Sequence, residues 1–301
     1  MSSLISEIPM KTISVLKATF NQEDIISEAI ENIRACSHPG VNFSIRDDCS
    51  TDNTAKILNS SELPNIDLVI NNSNMGAAEN AKLLLAESES DYIAFSAGDD
   101  FINPASLFLA HEIINLREVD FIFFKAAKAP IEKALLLTGA VDYLEDQTSK
   151  NPIMKNVELF ERDWISLKEI LEKSAEIPGF IWLQGLVMRR SVALDAGYTP
   201  SSTVDDWGLL HNLALLAGKR EMKYLFVDRI LGVMGVQEGS LGSRTDAQLS
   251  SQLDAVHHHW HPRFKKTALL NILQKKINRY REKDYDYDGI RASLKRSLLS
   301  N

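Results

Sequence analysis

Two rhythms of apolar and polar residues alternate along the first part of the chain. Lys11–Ala18 carries apolar Ile13, Val15 and Leu16 and reads as a strand. Ile25, Ile26, Ala29, Ile30 and Ile33 then recur at helical spacing. Val41, Phe43 and Ile45 alternate with Asn42, Ser44 and Arg46, the period of a strand. Turn and capping residues open a short helix over Thr51–Leu58, and Ile66–Ile70 is the next strand. A helix over Ala77–Ala86, a strand over Asp91–Ser96, a helix over Pro104–Leu116 and a strand over Val119–Lys125 complete the series. The Pro of the last helix suits a first helical turn. This βαβα order predicts an α/β fold with a doubly wound, mainly parallel sheet and helices on both faces.

The pattern then loses its period from about Ala126 to Pro178. It resumes with a strand over Phe180–Met188, helices over Arg189–Ala196 and Asp206–Ala217, and a strand over Lys223–Val227. Beyond Ser240 the chain reads as helical. Leu269, Leu270, Ile272, Leu273 and Ile277 form an apolar stripe, Arg279–Asp288 a polar break, and Gly289–Leu299 a short basic amphipathic helix. The expected organisation is one unit over residues 1–240 and a C-terminal helical extension over 241–301. The unit divides into a first half at about 11–125 and a second at about 126–240.

Composition narrows the function. The net charge of -8 argues against generic nucleic-acid binding, which needs basic surface to neutralise phosphates. The two cysteines, Cys36 and Cys49, form no CxxC pair and suggest a reducing compartment. The N-terminal MSSLISEIPMK lacks the basic and apolar regions of a signal peptide, and no run approaches the ~18 apolar residues of a membrane span. A cytoplasmic location follows as the expectation, with any membrane contact peripheral and at the inner face.

Candidate chemistry gathers where the predicted strands end. Thr19-Phe20-Asn21 follows the first strand and Asp47-Asp48-Cys49-Ser50-Thr51-Asp52 the second. Asn71-Asn72-Ser73-Asn74-Met75-Gly76 follows the third, and Gly98-Asp99-Asp100 the fourth. Each cluster alone is ordinary turn or cap chemistry. Together they point polar groups at the rim where open α/β sheets bind ligands. Adjacent carboxylates at Asp99 and Asp100 repel unless a cation compensates. Mg²⁺ or Mn²⁺, with few protein carboxylates and a shell filled by substrate phosphates, would suit them.

In this order and spacing, SVLKATFNQED, SIRDDCSTDNTAKIL, NNSNMGAAENAKLLLA and SDYIAFSAGDDFINPASL make residues 12–125 resemble family 2 glycosyltransferases of the GT-A fold. The later WLQGLVMRRSVALDAGYTPSSTVDDWGLLHNLAL resembles that family's acceptor-side region. The resemblance implies an inverting hexosyltransferase that moves one sugar from a nucleotide-diphospho-sugar, a UDP-sugar first, to an acceptor hydroxyl. It implies a glycan or lipid-linked acceptor, cell-surface polysaccharide synthesis and a divalent metal cofactor. Thr19, Asn21, Asp48, Asn74 and Gly76 would line the nucleotide, with Asp48 accepting from the base. Asp99, with Asp100 beside it, would hold the metal, and Asp206 would be the catalytic base. The chain departs from the pattern at Ala97, where many members have the first Asp of an Asp-X-Asp motif. It departs again at Glu79, where Arg is common, at Ala18 for a frequent Pro and at Asp205 for a usual Glu. The absence of Gln-X-X-Arg-Trp argues against a processive synthase.

Competing assignments remain. Asp205 and Asp206 also suit a helix N-terminus. Trp164, Trp182 and Trp207 could stack on sugars, although buried packing is the default and Trp207 has the best case for stacking. The run His257-His258-His259-Trp260-His261 lacks a completing ligand set for a metal. A non-catalytic GT-A-like nucleotide- or partner-binding module is the rival from another class. A nucleotidyltransferase would open with a Gly-rich basic loop where Thr19-Phe20-Asn21-Gln22 stands.

Overall fold

A computed structural model of the chain describes residues 9–63, 65–130, 134, 138, 158–160, 166–177, 180–197, 205–236, 252–253 and 255–282. The expected donor half runs β1 (Ile13–Thr19), α1 (Ile26–Ala35), β2 (Val41–Asp47), α2 (Thr54–Ser60), β3 (Ile66–Ile70), α3 (Ala77–Glu87) and β4 (Tyr92–Ala97). There follow β5 (Asp100–Ile102), α4 (Pro104–Leu116), β6 (Phe121–Pro130), β7 (Glu158–Phe160) and α5 (Leu167–Glu176). After a 3-10 turn, Leu183–Gly185, come β8 (Leu186–Arg189), α6 (Arg190–Ala196), α7 (Asp205–Ala217), β9 (Tyr224–Val236) and α8 (Pro262–Glu282).

Nine strands form one sheet in the order β3-β2-β1-β4-β8-β6-β9-β5, with β7 added on β6. The block β3-β2-β1-β4 is parallel throughout. β8 lies antiparallel between β4 and β6, while β6 and β9 are again parallel. Successive residues of the central strands serve opposite faces. Ile13 and Val15 of β1 pack with α1 and α4, whereas Leu16 joins the core beneath α3, α5, α7 and α8. β6 does the same, with Ile122 and Phe124 on one side and Phe121 and Phe123 on the other.

Several sequence expectations are corrected here. The stretch without a clear period holds α5, and β6 runs on to Pro130. Phe180–Met188 is mostly a turn and only its end is strand. β5 is an additional short strand. α8 continues through Glu282, past the expected break at Arg279. Its buried stripe is Phe264, Ala268 and Ile272, at i, i+4 and i+8, while Leu270 is half exposed. Residues 289–299, read as a basic helix, lie outside the described residues, as does Trp164.

The C-terminal end of α5 gathers α7, the segment before α8 and α8, and so fixes the helices of the expected acceptor half and the C-terminal extension. A helix leaves its last carbonyls without intrahelical partners. Trp207 Nε1 of α7 donates to Ser174 O at 2.7 Å, and Trp260 Nε1 donates to Ala175 O at 2.8 Å. Asn271 Nδ2 of α8 donates to Glu176 O at 3.0 Å. The two indoles lie 4.4 Å apart and are both buried. Trp207 is therefore a core residue, in line with the buried-packing default and not with the sugar-stacking alternative.

Candidate active site

The loops after β1, β2 and β3 hold one another. Asn21, at φ +52°, donates its N–H to Ser50 Oγ at 2.8 Å and accepts from Thr51 N at 2.8 Å. Gln22 N donates to Thr54 Oγ1, and the Glu23 carboxylate accepts from Asn53 N and Nδ2. Thr19 Oγ1 donates to Asp47 Oδ1, and Asp47 also receives Ser50 N and Oγ. Positive φ recurs at Cys49 (+61°) and Gly76 (+86°), so each of the three loops contains one residue in the sparsely populated half of the backbone map. Glycine adopts such backbone freely, whereas at Asn21 and Cys49, which carry a Cβ, the surrounding bonds hold it.

Asp48 is the hub between the second and third loops. Its Oδ1 accepts from Asn71 Nδ2 at 2.9 Å and Met75 N at 2.8 Å, and its Oδ2 from Gly76 N at 2.8 Å. Asn74 Nδ2 adds a bond to Asp48 O. The carboxylate is buried. With one bond on Oδ2, it retains capacity for a further donor. A buried network of Arg46, Asn71 and Asn80 backs it, and Arg46 also pairs with Glu87. Phe20 and Met75 are exposed beside this cradle, and neither was singled out from sequence as a site residue. Their signal was position alone, next to Thr19 and Gly76.

The acidic turn joins β4 to β5. Asp100 is buried, and its Oδ2 accepts from Ala97 N at 2.8 Å and from Gln184 Nε2 at 2.9 Å. Its Oδ1 is buried without a hydrogen-bond partner. Asp99 is partly exposed, and its carbonyl accepts from Gly235 N of β9. Burial and the neighbouring Asp100 raise the Asp99 carboxyl to about 6, and burial raises that of Asp100 as well. Below the turn, the ammonium of Lys17 is enclosed; burial lowers it to about 8 against the opposing pull of Asp100 and Asp99.

These groups fit a divalent cation. Two carboxyls whose ionisation is resisted, one with an orphaned oxygen, would be relieved by added positive charge. Of the pair, Asp99 is the one that solvent and a diphosphate can reach. Among the described residues no three His, Cys, Asp or Glu side chains converge, which leaves the remaining coordination to water and phosphate.

Asp206 sits in the first turn of α7, exposed, with Oδ1 accepting from Trp207 N at 2.7 Å. The helix behind it is anchored by Trp207, Leu209, Leu210 and Leu213. Glu79 pairs with Lys82 on the surface of α3. Arg189 and Arg190, noted in the acceptor-like segment, face the opposite end of the sheet. Arg189 binds Glu118 and Asp120, and Arg190 caps carbonyls of Leu85 and Ala86. His257, His258, His259 and His261 are exposed around the buried Trp260.

Residues 14–129 match the model of glycosyl transferase family 2. The chain is 29% identical over 130 residues to the Escherichia coli UDP-Glc:alpha-D-GlcNAc-diphosphoundecaprenol beta-1,3-glucosyltransferase WfaP, covering 43% of this chain and 51% of that protein. It thus spans about half the length of that curated relative. A crystal structure of S. aureus TarS 1-349 in complex with UDP-GlcNAc superposes with a TM-score of 0.59 at 17% identity, covering 87% of this chain and 71% of TarS. The mannosyltransferase PcManGT from Pyrobaculum calidifontis, in complex with GDP-Man and Mn2+, gives 0.53 at 14% identity over 98% of this chain and 82% of its own. The sheet is that of the GT-A fold, and the match to glycosyl transferase family 2 lies in its first, parallel part.

Proposed function

We propose that the protein transfers a single sugar from a UDP-sugar to an acceptor hydroxyl with inversion at the anomeric carbon. The observation that carries this is the acidic turn. It closes the same row of strand ends as the Asp48 cradle, with Asp99 reachable and Asp100 anchored. In this reading Thr19, Asn21, Asn74 and Gly76 shape the nucleotide pocket, Phe20 offers a ring face to the base, and Asp48 accepts its N–H. Asp99 holds a Mn²⁺ or Mg²⁺ ion while Asp100 fixes the turn. A cation there supplies Lewis-acid stabilisation to the departing diphosphate. Asp206 takes the acceptor hydroxyl proton as the oxygen bonds to the anomeric carbon, and the bond to the nucleoside diphosphate breaks. A positioned carboxylate contributes ~10²–10⁴-fold as general base.

WfaP acts on a diphosphoundecaprenol-linked acceptor and TarS was crystallised with UDP-GlcNAc, which supports a UDP-sugar donor and a glycan or lipid-linked acceptor in cell-surface glycan synthesis. Among the described residues no helix is long and apolar enough to cross a membrane. α8 carries seven Lys and Arg against one Glu in a chain of net charge -8, and Lys266 and Leu270 are exposed on it. That charge supports peripheral contact of a cytoplasmic protein with an anionic inner membrane face. The rival non-catalytic module draws on Ala97 and Glu79, neither of which offers the side chain common in the family.

Thermal-shift measurements with UDP-sugars, each with and without Mn²⁺, test the donor assignment. The expected result is a UDP-sugar whose stabilisation grows with Mn²⁺, and loss of that gain in Asp99→Asn. Equal metal dependence in Asp99→Asn would contradict the metal site.

A further inference from the structure

Lys17 interrupts an otherwise apolar strand face. It lies on β1 in register with Ser96 of β4 and shares its side with Ile13 and Val15, where an aliphatic residue would pack without cost. It is 2% exposed. Enclosing an ammonium is expensive unless every donor is matched. All three donors are matched, and all on the acidic turn: Ser96 Oγ at 3.0 Å, Ala97 O at 2.5 Å and Asp100 O at 2.8 Å.

The bonds join the end of β4 to the start of β5 and leave the two residues between them, Gly98 and Asp99, as the tip. Other contacts complete the clamp. Ala97 N is held by Asp100 Oδ2, Gln184 Nε2 reaches the same oxygen from the 3-10 turn, and Gly235 N holds Asp99 O from β9. Lys17 is the only described cation that bonds both flanks of the tip from inside the sheet.

We propose that Lys17 is a positioning residue: its ammonium fixes the Ala97–Asp100 backbone so that the Asp99 carboxylate is presented to a divalent cation. It touches neither donor nor acceptor. The role is distinct from that of a general core residue because its bonds end on the Ser96 hydroxyl and on two carbonyls that flank one turn. This inference rests on the assignment of Asp99 to the metal.

The test is Mn²⁺ binding in the presence of saturating UDP, measured by calorimetry on folded Lys17→Met, with metal-free UDP affinity measured alongside. The expected result is Mn²⁺ affinity lower by about 10-fold or more, the scale for losing an outer partner of a metal ligand. Metal-free UDP affinity should stay within about twofold, because the base cradle is built by other loops. Wild-type or tighter Mn²⁺ binding in folded Lys17→Met would overturn the proposal. Should Lys17→Met fail to fold, Lys17→Gln carries the test, since it keeps an amide donor in the same space. It is expected to weaken Mn²⁺ binding by less than the loss expected of Lys17→Met, and unchanged affinity overturns the proposal equally. Asp99→Asn is run in parallel. If it too binds Mn²⁺ like wild type, the metal-site assignment has failed; if only the Lys17 variants do, the positioning role has.

Discussion

The two halves of this molecule are held together by different means. In the donor half, neighbouring loops bond one another: Asn21 to Ser50 and Thr51, Gln22 to Thr54, and Asp48 to the backbone of Met75 and Gly76. The partners come from successive βα units of a parallel sheet. In the acceptor half, the decisive bonds span long separations. Trp207, Trp260 and Asn271 converge on the last carbonyls of α5 from α7, from the segment before α8 and from α8 itself. The first arrangement makes a cradle of mutually bonded loops at the strand ends. The second makes a helical wall held at one helix terminus.

The most damaging way to probe that division is to remove one indole. Trp207→Ala empties a buried site and strips Ser174 O of its donor. It should cost about 3–5 kcal/mol of unfolding free energy, the range for aromatic truncation in a core. Denaturant titration would measure this. Protein that remains folded should bind UDP like wild type; joint loss of UDP affinity would mean that the halves are not independent.

A smaller effect is expected inside the cradle. Asp48→Ala removes the acceptor for Met75 N and Gly76 N and, on the proposed reading, for the base. UDP affinity should fall by roughly 1–3 kcal/mol. Because the carboxylate is buried and bonded, melting temperature should also fall. Unchanged UDP affinity in calorimetry would remove Asp48 from the nucleotide site.

The gentlest probe is pH. Asp99 is raised to about 6, so the folded protein holds this proton better than the unfolded chain. The favourable contribution is complete below the ordinary carboxylate range and is lost as pH climbs through about 6. Cation binding needs the ionised form and gains over the same window. Metal-free melting temperature should therefore decline from this group between about pH 4 and pH 7, while the stabilisation by Mn²⁺ grows. A Mn²⁺ increment that stays flat over that range would contradict the placement of the ion at Asp99.

The same division explains what the sequence disclosed. The donor half was legible because its rules are local: strand period, helix period, and turn residues at each strand end. Ile66–Ile70 and Pro104–Leu116 match the structure to the residue. The acceptor half depends on contacts between distant segments, which no local pattern reports. α5 is instructive, because a signal existed. Ser166 accepts from Glu169 N, the side-chain cap of an S-x-x-E box, and Leu167, Ile170, Leu171 and Ser174 keep helical spacing behind it. Lys17 was illegible for the opposite reason. A lysine in a strand reads as a solvent-facing residue, and only the turn beneath which it is enclosed reveals three acceptors. Trp207 followed the buried-packing default although its neighbour Asp206 favoured a sugar site, because helical geometry turns adjacent residues to different faces.

The central claim is that the chain turns donor over with Asp206 as base. It is tested most directly by following UDP release from UDP-sugars with Mn²⁺ and a panel of glycan and lipid-linked acceptors. Wild-type protein is expected to release UDP with at least one donor. Asp206→Asn should do so at least about 10²-fold more slowly while binding UDP with unchanged affinity. Wild-type protein that binds UDP and Mn²⁺ yet releases nothing from any donor, or Asp206→Asn that turns over like wild type, would contradict it.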